Sequence, residues 1–267
     1  MIFLKAILLA VVEGITEFLP ISSTGHMILV DEYLKLTADS EFTDAFIVVI
    51  QLPAILSVVL YFWRSLWPFG ADKAERAEKV LLWLKIMTAF LPAAIIGALL
   101  NDFIERRLFN SVVVGVALLV GGIALIALER RHHKPTILAT RDITFKIALF
   151  IGLAQCLAMI PGTSRSAATI IGALLLGASR VVAAEFSFFL AIPTMAGAAA
   201  FTLLKTGLHF NREQWLVLGA GCVVSFGVAF LVIAGLMSYI RRKDFRAFGY
   251  YRIVLAILVL IFVTLVR

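Results

Sequence analysis

The chain alternates long apolar runs with short segments that carry most of its charged residues. A helix needs about 20 mostly apolar residues to cross a bilayer, so these runs predict membrane-spanning helices. Six of the runs contain no charged residue and predict about six spanning helices. They cover residues 45–63, 86–100, 108–128, 186–204, 214–240 and 253–266.

Two further apolar stretches are interrupted by polar residues and proline. Residues 1–30 contain Pro20, and residues 147–178 contain Pro161 followed by Gly162. Proline and glycine disfavour a continuous helix. We therefore predict that each stretch bends in the membrane.

The distribution of Lys and Arg predicts the orientation of the spans. These residues concentrate in three segments, 64–85, 130–146 and 241–252, of which Lys85 and Arg252 are the last members of the first and the third. By the positive-inside rule the three segments are cytoplasmic. The less basic segments 31–44, 101–107 and 205–213 are then outside. This assignment is consistent only if 147–178 enters and leaves on the inner side, and 1–30 on the outer side, each as a re-entrant helical hairpin.

The two bent stretches resemble each other, which indicates an internal repeat. Leu19–Thr24 resembles Ile160–Arg165 at an offset of 141 residues, and Pro53 corresponds to Pro193 at an offset of 140. We predict an all-α polytopic membrane protein that forms one integral-membrane domain over 1–267. Repeat 1 covers about 1–63 and repeat 2 about 147–204, with inverted topology and two hairpins that meet near the membrane midplane.

Composition narrows the class of protein further. The hydrophobic fraction is 62% and the charged fraction 15%, which exclude a soluble globular enzyme, a disordered chain and a disulfide scaffold. The net charge of +7 is explained by the three basic segments, and without a long basic run it does not favour nucleic acid as a partner.

Ionisable residues at membrane depth are candidates for function. Glu13 and Glu17 are four residues apart and share one face of a helix. Two close carboxylates would repel each other unless they bind a hard cation such as Mg²⁺ or Ca²⁺ or one of them holds a proton, although both could instead be solvated at the membrane surface. His26 is the histidine that lies away from charged or loop segments, unlike His132, His133 and His209. Beside serine and the two carboxylates it is a candidate for acid–base or nucleophilic chemistry.

Hydroxyl residues flank both proline breaks. They are typical helix N-caps, so we predict helices that begin at about Thr24–Gly25 and over Ala167–Gly177. A helix N-terminus with hydroxyl donors and a guanidinium also suits a phosphate group, although Arg165 could instead be the structural partner of a glutamate. The residues predicted to bind it are Ser22, Thr24, Gly25, Thr163, Ser164, Arg165 and Ser166, with Gln51 either lining the site or joining helices.

Four segments, EGITEFLPISSTGH, IQLPA, PGTSRSAATI and EFSFFLAIP, closely resemble the undecaprenyl-diphosphate phosphatase family, also called bacitracin resistance proteins. The resemblance covers essentially the whole chain. It implies a multi-pass enzyme of the bacterial inner membrane that removes the terminal phosphate of undecaprenyl diphosphate and so recycles the carrier lipid for peptidoglycan synthesis. It also implies an inverted repeat, a site reached from the outer side and dependence on a divalent cation.

The resemblance further implies catalytic roles for Glu13, Glu17, Ser23 and His26, with a phosphate-binding role for Arg165. Ala167 stands where the family often has glycine, which affects packing rather than chemistry. The nucleophile stays open between Ser23 with Glu17 or His26 as its base, His26 itself, and a metal-activated water.

Two other readings of the sequence stay open. Inverted repeats with broken helices are also a transporter design, so a polyprenyl-phosphate flippase is the alternative function. Small residues in 115–122 and 219–227 could support helix contacts in a homodimer, with membrane lipid as the surrounding partner.

Overall fold

The computed structural model describes the chain apart from residues 35, 38, 71, 132–133, 207–209 and 267, and at 31–33, 40, 101–102, 105, 205–206 and 265–266 it describes the backbone alone. His132, His133 and His209 therefore lie outside the described residues. The described part is helical and contains no β-strand, apart from one isolated parallel bridge between Ile137 and Ala178. The helices are α1 (Ile2–Thr16), α2 (Ser23–Tyr33), α3 (Ser40–Val49), α4 (Gln51–Tyr61), α5 (Trp63–Leu66), α6 (Lys73–Leu108), α7 (Ser111–Arg130), α8 (Phe145–Gln155), α9 (Arg165–Leu175), α10 (Arg180–Thr206), α11 (Arg212–Ile240) and α12 (Arg246–Val266).

Among the described residues, six segments are long and apolar enough to cross a membrane, which confirms the predicted number of spans. They are Glu41–Tyr61, Lys73–Leu100, Ser111–Arg130, Arg180–Leu204, Arg212–Ile240 and Arg246–Thr264. The bent stretches form the helix pairs α1–α2 and α8–α9, whose members have 11 to 15 residues and are too short to span. That both pairs enter and leave on one side stays a prediction.

Helix ends differ from the ends of the uncharged runs. The run 86–100 is only the middle of α6, which continues without interruption through the predicted outer loop 101–107 to Leu108. Lys, Arg and Glu are good helix formers, so a charge does not end a helix that the membrane surface can still solvate.

Two residues that the sequence placed in cytoplasmic basic segments are buried instead. Lys85 lies within α6, and its Nζ donates to the carbonyl of Arg141 at 2.9 Å. Arg252 lies within α12, completely buried, and its donors reach carbonyl oxygens of other elements. Internal carbonyl partners take the place of water for both cations, which is why neither needs a loop.

Helices from the first half of the chain pack against helices from the second half. Hairpin helix α1 lies against α11 and hairpin helix α8 against α6, while α4 lies against α11 and α10 against α6. Helices α7 and α12 pack against each other along their length. This arrangement packs one face of each hairpin against the long helices of the bundle.

The close approach of α7 and α12 depends on glycine. A Cβ atom on Gly122 would lie 2.7 Å from the carbonyl oxygen of Gly249, and a Cβ on Gly115 would lie 2.6 Å from Leu260 Cγ. The small residues of 115–122 are therefore used within the chain. On α11, Gly219 and Gly227 have open space around them.

Each hairpin turns at a serine with the same unusual backbone. Ser22 has φ 71° and precedes α2, and Ser164 has φ 70° and precedes α9. The structural pairing is thus Ser22 with Ser164, one residue away from the predicted offset, because the second turn has one more residue after its proline. As a result Ser23 and Arg165 are each the first residue of their helix, so α2 and α9 both begin slightly earlier than the sequence predicted.

Candidate active site

Glu17 caps the C-terminal end of α1 and keeps the helical register of Glu13. Its backbone N–H donates to the Glu13 carbonyl at 3.0 Å. The two carboxylates therefore follow each other by one turn, as their spacing predicts. Both lie near the end of α1, where the chain turns towards α2.

Glu17 joins the two hairpins. Ser23 Oγ donates to Glu17 Oε2 at 3.0 Å, and Arg165 Nη2 donates to Glu17 Oε1 at 3.1 Å. The side chains of Arg165 and Glu17 are only 11% and 12% exposed, so this ion pair is shielded from solvent. A serine hydroxyl on a carboxylate that is itself oriented by a third group is the arrangement of an activated nucleophile.

The rest of the Arg165 guanidinium faces α10. Nη1 donates to the Ser187 carbonyl at 3.1 Å, and Nη2 lies 3.3 Å from Met195 Sδ. The guanidinium carbon lies 5.8 Å from the centre of the Phe18 ring. Arg165 Nε is buried without a hydrogen-bond partner among the described residues. A buried unpaired donor is costly, so this guanidinium has unused capacity for an acceptor such as a phosphate oxygen.

Glu13 is held from outside the hairpin. Gln51, the first residue of α4, donates through Nε2 to Glu13 Oε1 at 2.8 Å, and Glu13 is only 1% exposed. This contact joins α4 to α1 and also brings Gln51 next to Glu13, so it agrees with both roles that the sequence left open for Gln51. Gln155 instead pairs with Thr194 of α10.

A divalent cation would find oxygen donors here but no complete set of protein ligands. No group of three or more His, Cys, Asp or Glu side chains that could hold a metal occurs in the described part of the chain. Glu13 and Glu17 are hard oxygen ligands of the kind that Mg²⁺ and Ca²⁺ prefer, and Mg²⁺ in particular is commonly held by one or two carboxylates together with substrate phosphates. The two carboxylates therefore fit a cation that arrives with a diphosphate.

The hydroxyl groups at the two turns serve mainly as helix caps and braces. Ser22 Oγ accepts from the Gly25 N–H at 3.4 Å, and Ser164 Oγ accepts from the Ala167 N–H at 3.3 Å. Ser166 Oγ donates to the Leu19 carbonyl at 2.8 Å and so ties α9 to the first turn. The side chains of Thr24 and Thr163 make no hydrogen bond to the other described residues of the site.

His26 lies one turn after Ser23, and its two ring nitrogens contact residues other than Glu17. Its Nδ1 is 2.7 Å from the Ser22 carbonyl, and its Nε2 is 2.7 Å from the Tyr251 hydroxyl. Because a carbonyl can only accept, Nδ1 carries a proton, and in a neutral ring Nε2 accepts from Tyr251. Neither nitrogen hydrogen-bonds to Ser23. Sequence reasoning missed Tyr251, since one tyrosine at the membrane surface gives no signal.

Glu17 thus contacts both Ser23 and Arg165. Glu13, with its partner Gln51, lies one turn before Glu17, and His26 lies one turn after Ser23. The two hairpins bring a buried carboxylate, a serine and a guanidinium together at the ends of short helices. This defines the class: a polytopic membrane protein with an internal site suited to an anionic phosphate group.

Comparisons with known proteins agree with this class. The family model of bacitracin resistance protein BacA matches residues 6–258. Undecaprenyl-diphosphatase 1 of Clostridioides difficile is 56% identical over 96% of this chain and 94% of its own length. The undecaprenyl-diphosphatase of Enterococcus faecalis is 51% identical over 97% and 96%, and that of Acetivibrio thermocellus 47% over 99% and 98%. The chain belongs to the bacitracin resistance protein family, which confirms the resemblance seen in its motifs.

Proposed function

We propose that this chain hydrolyses undecaprenyl diphosphate to undecaprenyl phosphate and orthophosphate, with Ser23 as the nucleophile. The reaction is supported by membership of the family and by its relatives, which are named undecaprenyl-diphosphatases. The observation that carries the assignment of the nucleophile is the hydrogen bond of Ser23 Oγ to Glu17 Oε2 at 3.0 Å.

In the first step Ser23 Oγ attacks the terminal phosphorus and loses its proton to Glu17. The bond from that phosphorus to the bridging oxygen breaks, and undecaprenyl phosphate leaves with the bridging oxygen. In the second step water attacks the phosphorus of the phosphoserine and the P–Oγ bond breaks. Orthophosphate leaves with the oxygen and protons of the water, and Glu17 returns its proton to Ser23 Oγ. Both steps build charge on phosphoryl oxygens, so electrostatic stabilisation and positioning dominate the rate.

Arg165 has two tasks in this scheme. In the structure it holds Glu17, and its unpaired Nε and its place as the first residue of α9 suit a phosphate group. Phosphate oxygens would compete with Glu17 for the guanidinium.

Glu13 and Glu17 would hold a divalent cation, Mg²⁺ or Ca²⁺, together with oxygens of the diphosphate. Bound there, the cation would neutralise part of the charge of the phosphoryl groups. Gln51 keeps Glu13 in place through its 2.8 Å hydrogen bond.

His26 acts in this proposal as a positioning residue. Its Nδ1–H holds the carbonyl of Ser22, the strained residue directly before Ser23, and both of its ring nitrogens are occupied. A nucleophilic His26 would require the Tyr251 contact to break. This alternative predicts that His26→Ala abolishes turnover while Ser23→Ala does not, and a metal-activated water predicts that neither substitution abolishes it.

The distribution of basic residues and the family together support a cellular membrane for this protein and a side of that membrane for its site. The protein is a multi-pass membrane protein. We place it in the bacterial plasma (inner) membrane, with the site open to the outer side because the first hairpin leads into the less basic outer segment 31–44. The regenerated carrier lipid would be used again in peptidoglycan synthesis. The activity would also confer resistance to bacitracin. If a homodimer forms, the uncovered face of α11 at Gly219 and Gly227 is the surface available to it.

Phosphate release from purified protein in detergent separates the enzyme from a flippase. We expect the unmodified chain to release phosphate from undecaprenyl diphosphate, and Glu17→Gln to lower kcat about 10²- to 10⁴-fold, as for loss of a general base. Glu213→Gln, an exposed acid at the start of α11, is the matched control and should leave kcat unchanged. No phosphate release, together with lipid movement across liposomes, would contradict the proposal.

A further inference from the structure

Arg252 is the largest fully buried side chain of the protein's described residues, although its role is outside the chemistry derived above. It lies in α12, and no carboxylate of the described residues is within ion-pair distance of it. Its guanidinium donates to four main-chain carbonyl groups instead. A buried charge is costly unless hydrogen bonds replace its hydration, so these contacts have to form together.

The four acceptors belong to three separate parts of the chain. Nη1 donates to the Pro20 carbonyl at 3.4 Å, and Nη2 donates to the Gly162 carbonyl at 3.1 Å. These are the turns of the first and the second hairpin. The remaining donors reach α7, with Nη2 on Ala117 O at 3.1 Å and Nε on Leu118 O at 3.3 Å.

Both hairpin acceptors lie shortly before a residue of the site. Pro20 is three residues before Ser23, and Gly162 is three residues before Arg165. The Arg252 guanidinium therefore fixes the two turns that lead into Ser23 and Arg165, and it fixes both turns against α7. The planar fork of arginine allows donors to point in several directions at once, which a lysine ammonium on its flexible stem does not reproduce.

Helix α7 leaves space for this contact. A Cβ atom on Gly121 would lie 2.3 Å from Arg252 Nη2 and 2.9 Å from Cζ, so alanine at this position would displace the guanidinium. The arginine can thus be perturbed in two ways, by replacing it or by filling its space while its charge remains.

We propose that Arg252 is a positioning residue for the reaction: by holding the carbonyls of Pro20 and Gly162 it sets the separation between Ser23 and Arg165. It touches neither residue and acts through the two turns. As far as turnover is concerned, the inference rests on the proposed hydrolysis. The geometric part does not, because the separation of the hairpins can be measured without substrate.

The kinetic test uses purified Arg252→Met, Arg252→Lys and Gly121→Ala, with Arg246→Met as the control. Arg246 is exposed on the same helix and pairs only with the neighbouring Asp244. We expect Arg252→Met and Gly121→Ala to lower kcat about 100-fold, the cost of a displacement of about 1 Å in a reacting group, while KM changes far less. Arg252→Lys should recover part of the loss, and Arg246→Met should match the unmodified protein.

The geometric test places spin labels at Ile15 and Leu157, exposed positions of α1 and of the segment between α8 and the second turn, after Cys156 and Cys222 are replaced by serine. Pulsed electron resonance without substrate should give one narrow distance distribution for the parent and a broader or displaced one for Arg252→Met and Gly121→Ala. If the unmodified protein released no phosphate but these distributions still changed, the proposed hydrolysis would fail and the positioning role would stand.

Two results would overturn the inference. One is normal kcat with an unchanged distance distribution in a folded Arg252→Met or Gly121→Ala protein. The other is that both variants lose the cooperative thermal unfolding transition and the monodisperse peak in size-exclusion chromatography. That result would show that Arg252 supports the fold as a whole and not the position of the hairpins.

Discussion

Arg165 and Glu17 form an ion pair with 3.1 Å between Nη2 and Oε1, although 148 positions separate them in the chain. Each comes from a different hairpin, and each sits at a helix end. In the proposed mechanism this pair joins Glu17, which would accept the Ser23 proton, to Arg165, which would bind phosphate. Phosphate binding to Arg165 and proton transfer to Glu17 would therefore involve the same contact.

Loss of the Arg165 guanidinium should affect both binding and turnover. Truncating one partner of a buried charge pair costs about 2–5 kcal/mol, which corresponds to about 30- to 4,000-fold in kcat/KM for Arg165→Ala. Arg165→Lys should restore little, because lysine lacks the planar fork. Steady-state phosphate release measures both variants, and Arg212→Ala, an exposed arginine at the start of α11, is the control. Unchanged kinetics in Arg165→Ala would remove this residue from the site.

The proposed cation makes activity sensitive to chelators in a way that depends on Glu13. We expect a chelator to abolish phosphate release and added Mg²⁺ or Ca²⁺ to restore it. Glu13→Gln removes one of the two anionic ligands and should raise the cation concentration for half-maximal activity about tenfold or more. Titration of chelator-treated protein gives this value. The same half-maximal concentration in Glu13→Gln and the unmodified protein would exclude Glu13 as a ligand.

The second turn needs glycine at position 162. Gly162 has φ +90°, and a Cβ atom there would lie 2.5 Å from the Val114 carbonyl oxygen. Strain of this kind costs about 1–3 kcal/mol, so Gly162→Ala should unfold several degrees below the unmodified protein in detergent. Gly219→Ala, which has open space within α11, is the control and should be neutral or slightly stabilising. Equal unfolding temperatures for the two variants would contradict this role of the turn.

Much of the fold follows from the sequence because its signals are local. An uncharged run of sufficient length predicts a span wherever it occurs, and proline beside hydroxyl residues predicts a break and a helix start. The i,i+4 spacing of Glu13 and Glu17 likewise fixes their common face before any tertiary contact is known.

The missing parts depend on contacts between distant residues. The sequence assigned Arg252 to a basic loop because charge near a span is usually cytoplasmic, and only the carbonyls of Pro20, Gly162 and α7 explain its burial. Tyr251 at His26 was unpredictable for the same reason. The pairing of Ser22 with Ser164 required backbone dihedral angles, since one extra residue in the second turn shifts the alignment.

The central claim is that Ser23 attacks the terminal phosphorus, and the most direct test is the rate of phosphate release by purified Ser23→Ala. Ser111→Ala is the control, because Ser111 also begins a helix after a side-chain cap but lies outside the site. We predict that Ser23→Ala retains less than about 1% of the unmodified rate, in line with removal of a nucleophile and its hydrogen bond to Glu17. A Ser23→Ala protein that releases phosphate at close to the unmodified rate would contradict the account.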